Sequence, residues 1–238
     1  MLEAIYSFDL SAFQWVQDNL WNPVLDVIFK VITVSGDDGI IFILMGLIFL
    51  GVGIFKKNDK CKQIGMAVLI ALLFMEIVNN LVLKELIARP RPFYIFDIST
   101  LPADHKHYAE IVAKYAENIK QFPELAAKWV AEYQYPNIVK MPSSWSFPSG
   151  HSSSAFAACV AVLWYNRKIG IPAVIYAALM AFSRLYIHVH YCTDVIAGSL
   201  VGIIYAVAGV LIAKVLYEKL LRDKVFAKIE SKLVKDKE

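Results

Sequence analysis

Phe147-Pro148-Ser149-Gly150-His151-Ser152-Ser153-Ser154 stands immediately ahead of the apolar run Ala155–Tyr165. Proline, glycine and serines interrupt whatever precedes them, and Ser149 has the side chain of a helix N-cap. A helix starting there aims free backbone N–H groups and its positive dipole end at anything bound in front of it. That makes an anion site, with His151 in it as a titratable proton donor. The plain alternative is a capped membrane-crossing helix whose histidine sits at the interface. The residues placed around this stretch have to separate the two.

Of the 238 residues, 58% are hydrophobic, and the mean hydropathy is +0.52. Both exceed the usual range for a soluble domain, and together with long uncharged runs they specify an integral membrane protein. A net charge of +3 gives no electrostatic case for nucleic acid, and no basic block is interleaved with aromatics as such a surface needs. Cys61, Cys159 and Cys192 are scattered without a Cys-x-x-Cys pair, so neither a disulfide framework nor a thiolate metal site is indicated. The N-terminus lacks the basic start, short apolar core and small-residue cleavage site of a removable signal, so the first span is expected to direct insertion.

Outward from the opening stretch, the apolar runs are Ile40–Phe55, Ile64–Leu83, Ala155–Tyr165, Ile171–Phe182 and Val195–Leu216. Gly170 and Pro172 suggest the turn between the third and fourth of these. Some runs fall short of the roughly 20 residues of a full span and are extended into flanking motif residues. Residues 5–34 place Phe13, Val16, Leu20, Val24, Val27 and Val31 on one helical face, opposite Gln14, Asp18, Asn22 and Asp26. Pro23 should kink or divide this segment. It reads as a kinked first span, with an interfacial helix as the other possibility. The expected fold is therefore an all-α polytopic membrane helix bundle of about six transmembrane helices.

Alternation puts Lys56, Lys57, Lys60 and Lys62, the Arg167-Lys168 turn and the tail with Lys219, Arg222, Lys224 and Lys228 on one side. The positive-inside rule makes that side, and the C-terminus, cytoplasmic. Asp37 and Asp38, the stretch from Lys84 to His151 and the stretch from Ser183 to Asp194 fall on the other side. Between Pro92 and Pro148 lies a polar insert with the spacing of two short amphipathic helices. Tyr108, Ile111, Val112, Tyr115 and Ile119 line one; Leu125, Trp129, Val130 and Tyr133 line the other, with Pro123 in its first turn. Phe93, Tyr94, Phe96, Phe122, Tyr135, Trp145 and Phe147 suggest interfacial anchors. The insert, residues 93–147 of a single 1–238 domain, reads as an extracytoplasmic cap, or alternatively as a loop with a small core and no part in binding.

Three charged clusters share the outer face: Lys84 with Arg89-Pro90-Arg91-Pro92, then Ser183-Arg184, then His190 with Asp194. Cations at helix C-termini complement the dipole and reach headgroups. Their accumulation on the side disfavoured for lysine and arginine calls for more. His190 and Asp194 are four residues apart, so on a helix the carboxylate lies one turn from the imidazole. A carboxylate there holds one ring nitrogen as N–H and leaves the other free as nucleophile or base. His188 should point elsewhere, as a supporting or structural residue, and His105 and His107 read as solvated. No Asp/Glu cluster resembles a divalent-metal cage. Two histidines, an aspartate and several cations describe phosphoryl transfer through a histidine.

In this arrangement the chain resembles the phosphatidic acid phosphatase type 2 superfamily of membrane phosphatases. Lys84, six residues, then Arg91-Pro92 is similar to its first signature; Pro148-Ser149-Gly150-His151 matches the second; Ser183-Arg184, five residues, His190, three residues and Asp194 match the third. The resemblance covers residues 84–194, and the insert is long for the family. It implies that His190 attacks phosphorus, Asp194 fixes its tautomer, and His151 protonates the leaving oxygen and then activates water. It also implies that Lys84, Arg91 and Arg184, with Ser149, Gly150 and Ser183 of the signatures, hold the phosphate oxygens. By the spacing from Lys84, Arg89 is left as a headgroup contact.

The implied protein is a multi-pass lipid phosphate or diphosphate phosphatase of a bacterial cytoplasmic membrane, with its site facing outward. Its expected partners are a lipid phosphate and the bilayer, with no cofactor, no metal, no nucleic acid and no obligatory protein partner. A lipid-to-lipid phosphotransferase, or a silent lipid-binding or flipping protein, would use the same scaffold.

Overall fold

The computed structural model describes residues 2–94, 98–99, 101–135, 139, 142–226 and 228–229. Phe96 and the side chains of Arg222 and Lys224 lie outside the described residues. Among the described residues the regular structure is all helical.

Two helices open the chain, α1 (Leu2–Leu20) and α2 (Pro23–Ser35). Asn22 separates them: its side chain accepts from the N–H groups of Val24 and Leu25, and Pro23 takes the first helical position, where its missing N–H costs nothing. The expected single face is thereby split. Phe13 and Val16 are fully buried, whereas Val24, Val27 and Val31 are exposed. A kinked span is thus replaced by two separate helices of 19 and 13 residues. After a 3-10 turn (Asp37–Gly39), α3 covers Ile40–Phe55, as its uncharged run predicted.

α4 (Asp59–Phe74) runs on through Met75–Leu83, where the bonding widens to the π pattern, into α5 (Lys84–Ile87). α5 stops at Ala88, which has left-handed backbone angles. The insert contributes α6 (Tyr108–Gln121) and α7 (Pro123–Glu132). Three long elements follow: α8 (Gly150–Tyr165), α9 (Arg167–Tyr186) and α10 (Cys192–Leu216), the last extended by π-type turns over Tyr217–Phe226. The turn expected at Gly170 and Pro172 lies instead at Asn166, whose side chain caps α9 by accepting from Lys168 N and Ile169 N. Gly170 serves close packing: a Cβ there would sit 2.2 Å from Leu163 Cα.

Among the described residues, four helical stretches are long and apolar enough to cross a membrane: Asp37–Phe55, Asp59–Ile87, Arg167–Tyr186 and Cys192–Lys219. About six are expected from the sequence; α1, with 19 residues, is long enough but carries Glu3, Asp9 and Asp18, while α2, with 13 residues, and α8, with 16, are short for a full span. α8 is central, packed between α9, α10 and α4. Close backbone approach holds the bundle together, since lipid gives apolar side chains no gain on leaving it. A Cβ on Gly202 would come within 2.6 Å of Ser153 O.

The insert forms a core with α1 and the chain beyond α9 instead of an exposed aromatic belt. Phe93, Tyr94, Trp129 and Trp145 are buried, and Trp129 meets Tyr6, Phe13, Tyr133 and Tyr191. Ile111 and Leu125 face inward as their spacing predicted, while Tyr108 and Val130 are exposed. The polar stripe of α1 docks this insert: Gln17 Nε2 donates to Glu132 O at 3.1 Å, and Gln14 bonds to the Glu132 carboxylate.

Candidate active site

Helix starts and stops gather the charged residues at one end of the bundle. Ser149 caps α8 as its sequence predicted, accepting from Ser152 N, and its own N–H donates to the backbone oxygen of Asp194 at 3.1 Å. That single bond ties the opening stretch to the start of α10. Asp194 occupies the third position of α10 and accepts from Tyr191 N at 3.2 Å, closing a capping box that fixes the carboxylate. His190 precedes this helix and is not on it, but the carboxylate still reaches its ring: Nδ1 lies 3.5 Å from Asp194 Oδ2.

A cavity of about 1320 Å³ opens in front of His190. Lys84, Arg91, Gly150, His151, Arg184 and His190 all line it. Asp194 stands behind His190, fully buried. Ser149 and Ser183 are also fully buried. Ser149 Oγ accepts from Ser152 Oγ at 2.9 Å, and Ser183 Oγ donates to Met180 O at 2.6 Å, so both hydroxyls are engaged within their helices.

The tautomer of His190 follows from its neighbours. Arg91 Nη1 lies 2.8 Å from His190 Nε2, and a guanidinium only donates. Nε2 therefore carries the lone pair and Nδ1 the hydrogen. Nδ1 faces Asp194 Oδ2 and Ser146 Oγ, the latter at 3.4 Å, while Ser146 Oγ donates to the same Asp194 oxygen. Burial, reinforced by the positive charges of Arg91, Arg184 and Lys84, holds the His190 imidazole well below the ordinary histidine range. Asp194 does not reverse this, because its other oxygen already receives Arg89 Nη1 at 2.6 Å. His190 is thus a neutral ring with a fixed lone pair beside three cations.

Arg91 is itself held from three directions. Its Nε and Nη2 donate to Ser144 O and Ser144 Oγ, each at 2.8 Å, and Nη1 also donates to Val189 O at 2.8 Å. Arg184 donates to Thr33 Oγ1 of α2. His151 Nε2 donates to Asp37 Oδ1 at 3.0 Å. Among the described residues, no three His, Cys, Asp or Glu side chains gather in a way that could hold a metal ion.

Arg89 departs from the reading as a headgroup contact. It bridges Asp194 and the buried Asp9 of α1, donating to Asp9 Oδ2 at 2.7 Å, and lies 3.6 Å from the Tyr191 ring centroid. Two buried carboxylates need such a counter-charge. His188 is structural: its ring packs on Phe13, Trp21 and Tyr133, and Nδ1 donates to Gln134 O at 2.6 Å. His107 is not a free surface group either, since it lies 4.2 Å from Trp145 by ring centroids.

Sequence reasoning missed Asp9, Thr33, Asp37, Ser144 and Ser146 as parts of this site. Only Asp37 left a usable signal, a carboxylate placed on the same face as the cations.

Comparison with known proteins gives the family and the fold. The model of the PAP2 superfamily matches residues 64–217. Over 59 residues the chain is 48% identical to undecaprenyl-diphosphatase BcrC of Bacillus subtilis (strain 168), a match covering 25% of this chain and 31% of that protein. Over 62 residues it is 40% identical to an undecaprenyl-diphosphatase of Sulfolobus acidocaldarius, covering 26% of this chain and 30% of the relative. The chain thus spans less than a third of either relative's length. The crystal structure of a transmembrane PAP2-type phosphatidylglycerolphosphate phosphatase from Bacillus subtilis superposes with a TM-score of 0.57 at 24% identity, covering 92% of this chain and 89% of that one. That likeness shows the same fold.

Proposed function

The chain belongs to the PAP2 superfamily, and from that premise we propose that it is an integral-membrane, metal-independent phosphatase of lipid phosphates or diphosphates working through a phosphohistidine on His190. The observation that carries this reading is the fixed tautomer of His190. Its lone pair on Nε2 meets the Arg91 guanidinium while Nδ1 faces Asp194. When a phosphate enters, Nε2 attacks the terminal phosphorus and its P–O bond to the lipid oxygen, or to the bridging oxygen of a diphosphate, breaks, with the proton of His151 passing to the leaving oxygen. Water then attacks phosphorus, the Nε2–P bond breaks, and His151 takes back a proton. Lys84, Arg91 and Arg184, with the backbone N–H at Gly150, hold the oxygens over which the transition-state charge spreads. Asp194 stabilises the charged ring that forms. Ser149 and Ser183, engaged inside their helices, contribute by setting the backbone.

Lys84, Arg91 and Arg184 supply at the cavity the positive charge that a metal ion would otherwise bring to the phosphate, which supports chemistry without metal. The cavity exceeds the needs of one phosphate and has an apolar wall of Val34, Ile43, Leu72 and Met75, suited to a lipid tail. The relatives named for undecaprenyl diphosphate and phosphatidylglycerol phosphate make those lipids the first candidates. Lys56, Lys57, Lys60, Arg167 and Lys168 occupy the opposite ends of the helices, which by the positive-inside rule supports an extracytoplasmic site.

The test is phosphate release by purified protein from undecaprenyl diphosphate, phosphatidylglycerol phosphate and phosphatidate, with and without EDTA. Release that resists EDTA is expected, and His190→Ala should lose more than the roughly 10²–10⁴-fold that removal of a general acid costs. Release abolished by EDTA, or substantial activity in His190→Ala, would overturn the proposal. Label recovered in a second lipid in place of inorganic phosphate would instead identify a transferase.

A further inference from the structure

A carboxylate on the wall of a phosphate cavity repels the substrate, so its presence there needs a chemical reason. Asp37 and Asp38 both line this cavity, together with Lys84, Arg91 and Arg184. Asp37 sits on the 3-10 turn between α2 and α3, and its Oδ1 lies 3.0 Å from His151 Nε2. The turn is built to lie against that ring: a Cβ on Gly36 would come 3.1 Å from His151 Cδ2 and 2.6 Å from the end of Met180.

His151 has a demanding task in this setting. To act as general acid it must carry a proton, and therefore a positive charge, near the guanidinium groups of Arg184 and Arg91. The Coulomb term of those neighbours opposes that charge, and a carboxylate in hydrogen-bond contact offsets it. The same contact fixes the ring's orientation, leaving Nδ1 as the nitrogen not committed to Asp37.

We propose that Asp37 is the positioning residue of His151, holding it as the proton donor without which the site cannot expel a poorly leaving alkoxide. The inference rests on the reading of the site as a phosphatase. Attack by His190 Nε2 forms the N–P bond as the P–O bond breaks. An alkyl monoester then departs as an alcohol only if His151 supplies a proton. An aryl monoester departs as a stabilised phenolate and needs that proton far less. The dependence on Asp37 must therefore follow the leaving group, which a merely structural role for the turn would not produce.

The experiment compares kcat/KM for a short-chain phosphatidate and for p-nitrophenyl phosphate, in the wild type, Asp37→Asn and Asp37→Ala. This parameter reports steps up to formation of the phosphohistidine, so slow hydrolysis of that intermediate does not obscure the result. Both substrates are measured on one preparation, which makes the ratio independent of how much protein is correctly folded. The expected result is a loss on phosphatidate at least tenfold greater than the loss on p-nitrophenyl phosphate, in both variants. Equal losses, or a gain on phosphatidate from relieved repulsion, would overturn the role of Asp37 while leaving the phosphatase reading intact. A wild-type chain that releases phosphate from neither substrate, nor from undecaprenyl diphosphate or phosphatidylglycerol phosphate, would overturn that reading and this inference with it. Release from the diphosphate alone, which has no alkoxide to expel, would overturn this inference only.

Discussion

In the proposed reaction Nε2 becomes bonded to phosphorus, so Arg91 cannot keep its bond to His190 throughout. Nη1 has to pass from the ring nitrogen to a phosphate oxygen as substrate enters. The bonds to Ser144 and Val189 hold the guanidinium in place while it does so. On the far side of the ring, Ser146 is bonded to the Asp194 oxygen nearest Nδ1. A hydrogen bond to a charged group contributes about 1.5–3 kcal/mol, so Ser146→Ala should lower kcat roughly ten- to a hundredfold. Unchanged turnover in a phosphate-release assay would contradict this. His188 gives a prediction of a different kind. Burial pushes its imidazole down to about 3, whereas in the unfolded chain it titrates near the ordinary value of about 6.5. The folded protein therefore excludes a proton that the unfolded chain binds. This site is without penalty above pH 6.5 and subtracts progressively more stability as pH falls from there toward 3. His188→Asn, which tolerates the positive φ of 55°, should show a smaller drop in unfolding midpoint between pH 7 and pH 5 than the wild type; an equal drop would refute the assignment. The pairing of His190 with Asp194 was legible because it is local, four residues apart. The contacts Ser146–Asp194, Arg89–Asp9 and Asp37–His151 span 48, 80 and 114 residues. No spacing rule reaches that far, so Arg89 read as a surface cation and Asp37 as a turn residue.

Among the elements, α8 carries the geometry. Its first turn presents Gly150 and His151 to the cavity, while its neighbours bring His190 and Arg184 beside them. Register between α8 and α10 is set where small residues let backbones touch. A Cβ on Gly198 would lie 2.6 Å from Ser149 O and 3.2 Å from Ser149 Cβ. Gly198→Ala should force α10 away from the α8 cap, costing about 1–3 kcal/mol and lowering activity through displacement of Asp194. Thermal unfolding together with turnover checks it, and wild-type values in both would show that the contact yields without consequence. The π-type stretch Met75–Leu83 changes the facing of everything after it, and Lys84 is the next residue. That widening could not be read from hydropathy, although Glu76, Asn79 and Asn80 marked the segment as unlike an ordinary span. The caps were easier. Asn22 with Pro23, Ser149, and Pro123 at the start of α7 all occupy the positions their side chains favour.

At the scale of the molecule, composition identified a multi-pass membrane protein, and the outward faces of α3 and α9 agree. Ile40, Leu44, Ile48 and Phe55 are exposed on the first, Ile171 and Ile175 on the second. What composition could not show is how residues 2–35 are used. Their apolar face is shared between the insert and the bundle exterior, because the break at Asn22 turns one potential span into two helices with different partners. The consequence reaches the site. α1 brings Asp9 to Arg89 and so to Asp194, α2 brings Thr33 to Arg184, and the turn after α2 brings Asp37 to His151. The insert supplies Ser144 and Ser146 in the same way. These supporting groups come from outside the three signatures and surround the six cavity-lining residues within them. The most direct measurement of the central claim is to react the purified protein with ³²P-labelled lipid phosphate, quench it in alkali and map the bound label. An alkali-stable, acid-labile phosphoryl group on the peptide containing His190, absent from His190→Ala, is the predicted result. Label on another residue, or steady phosphate release from His190→Ala, would contradict it.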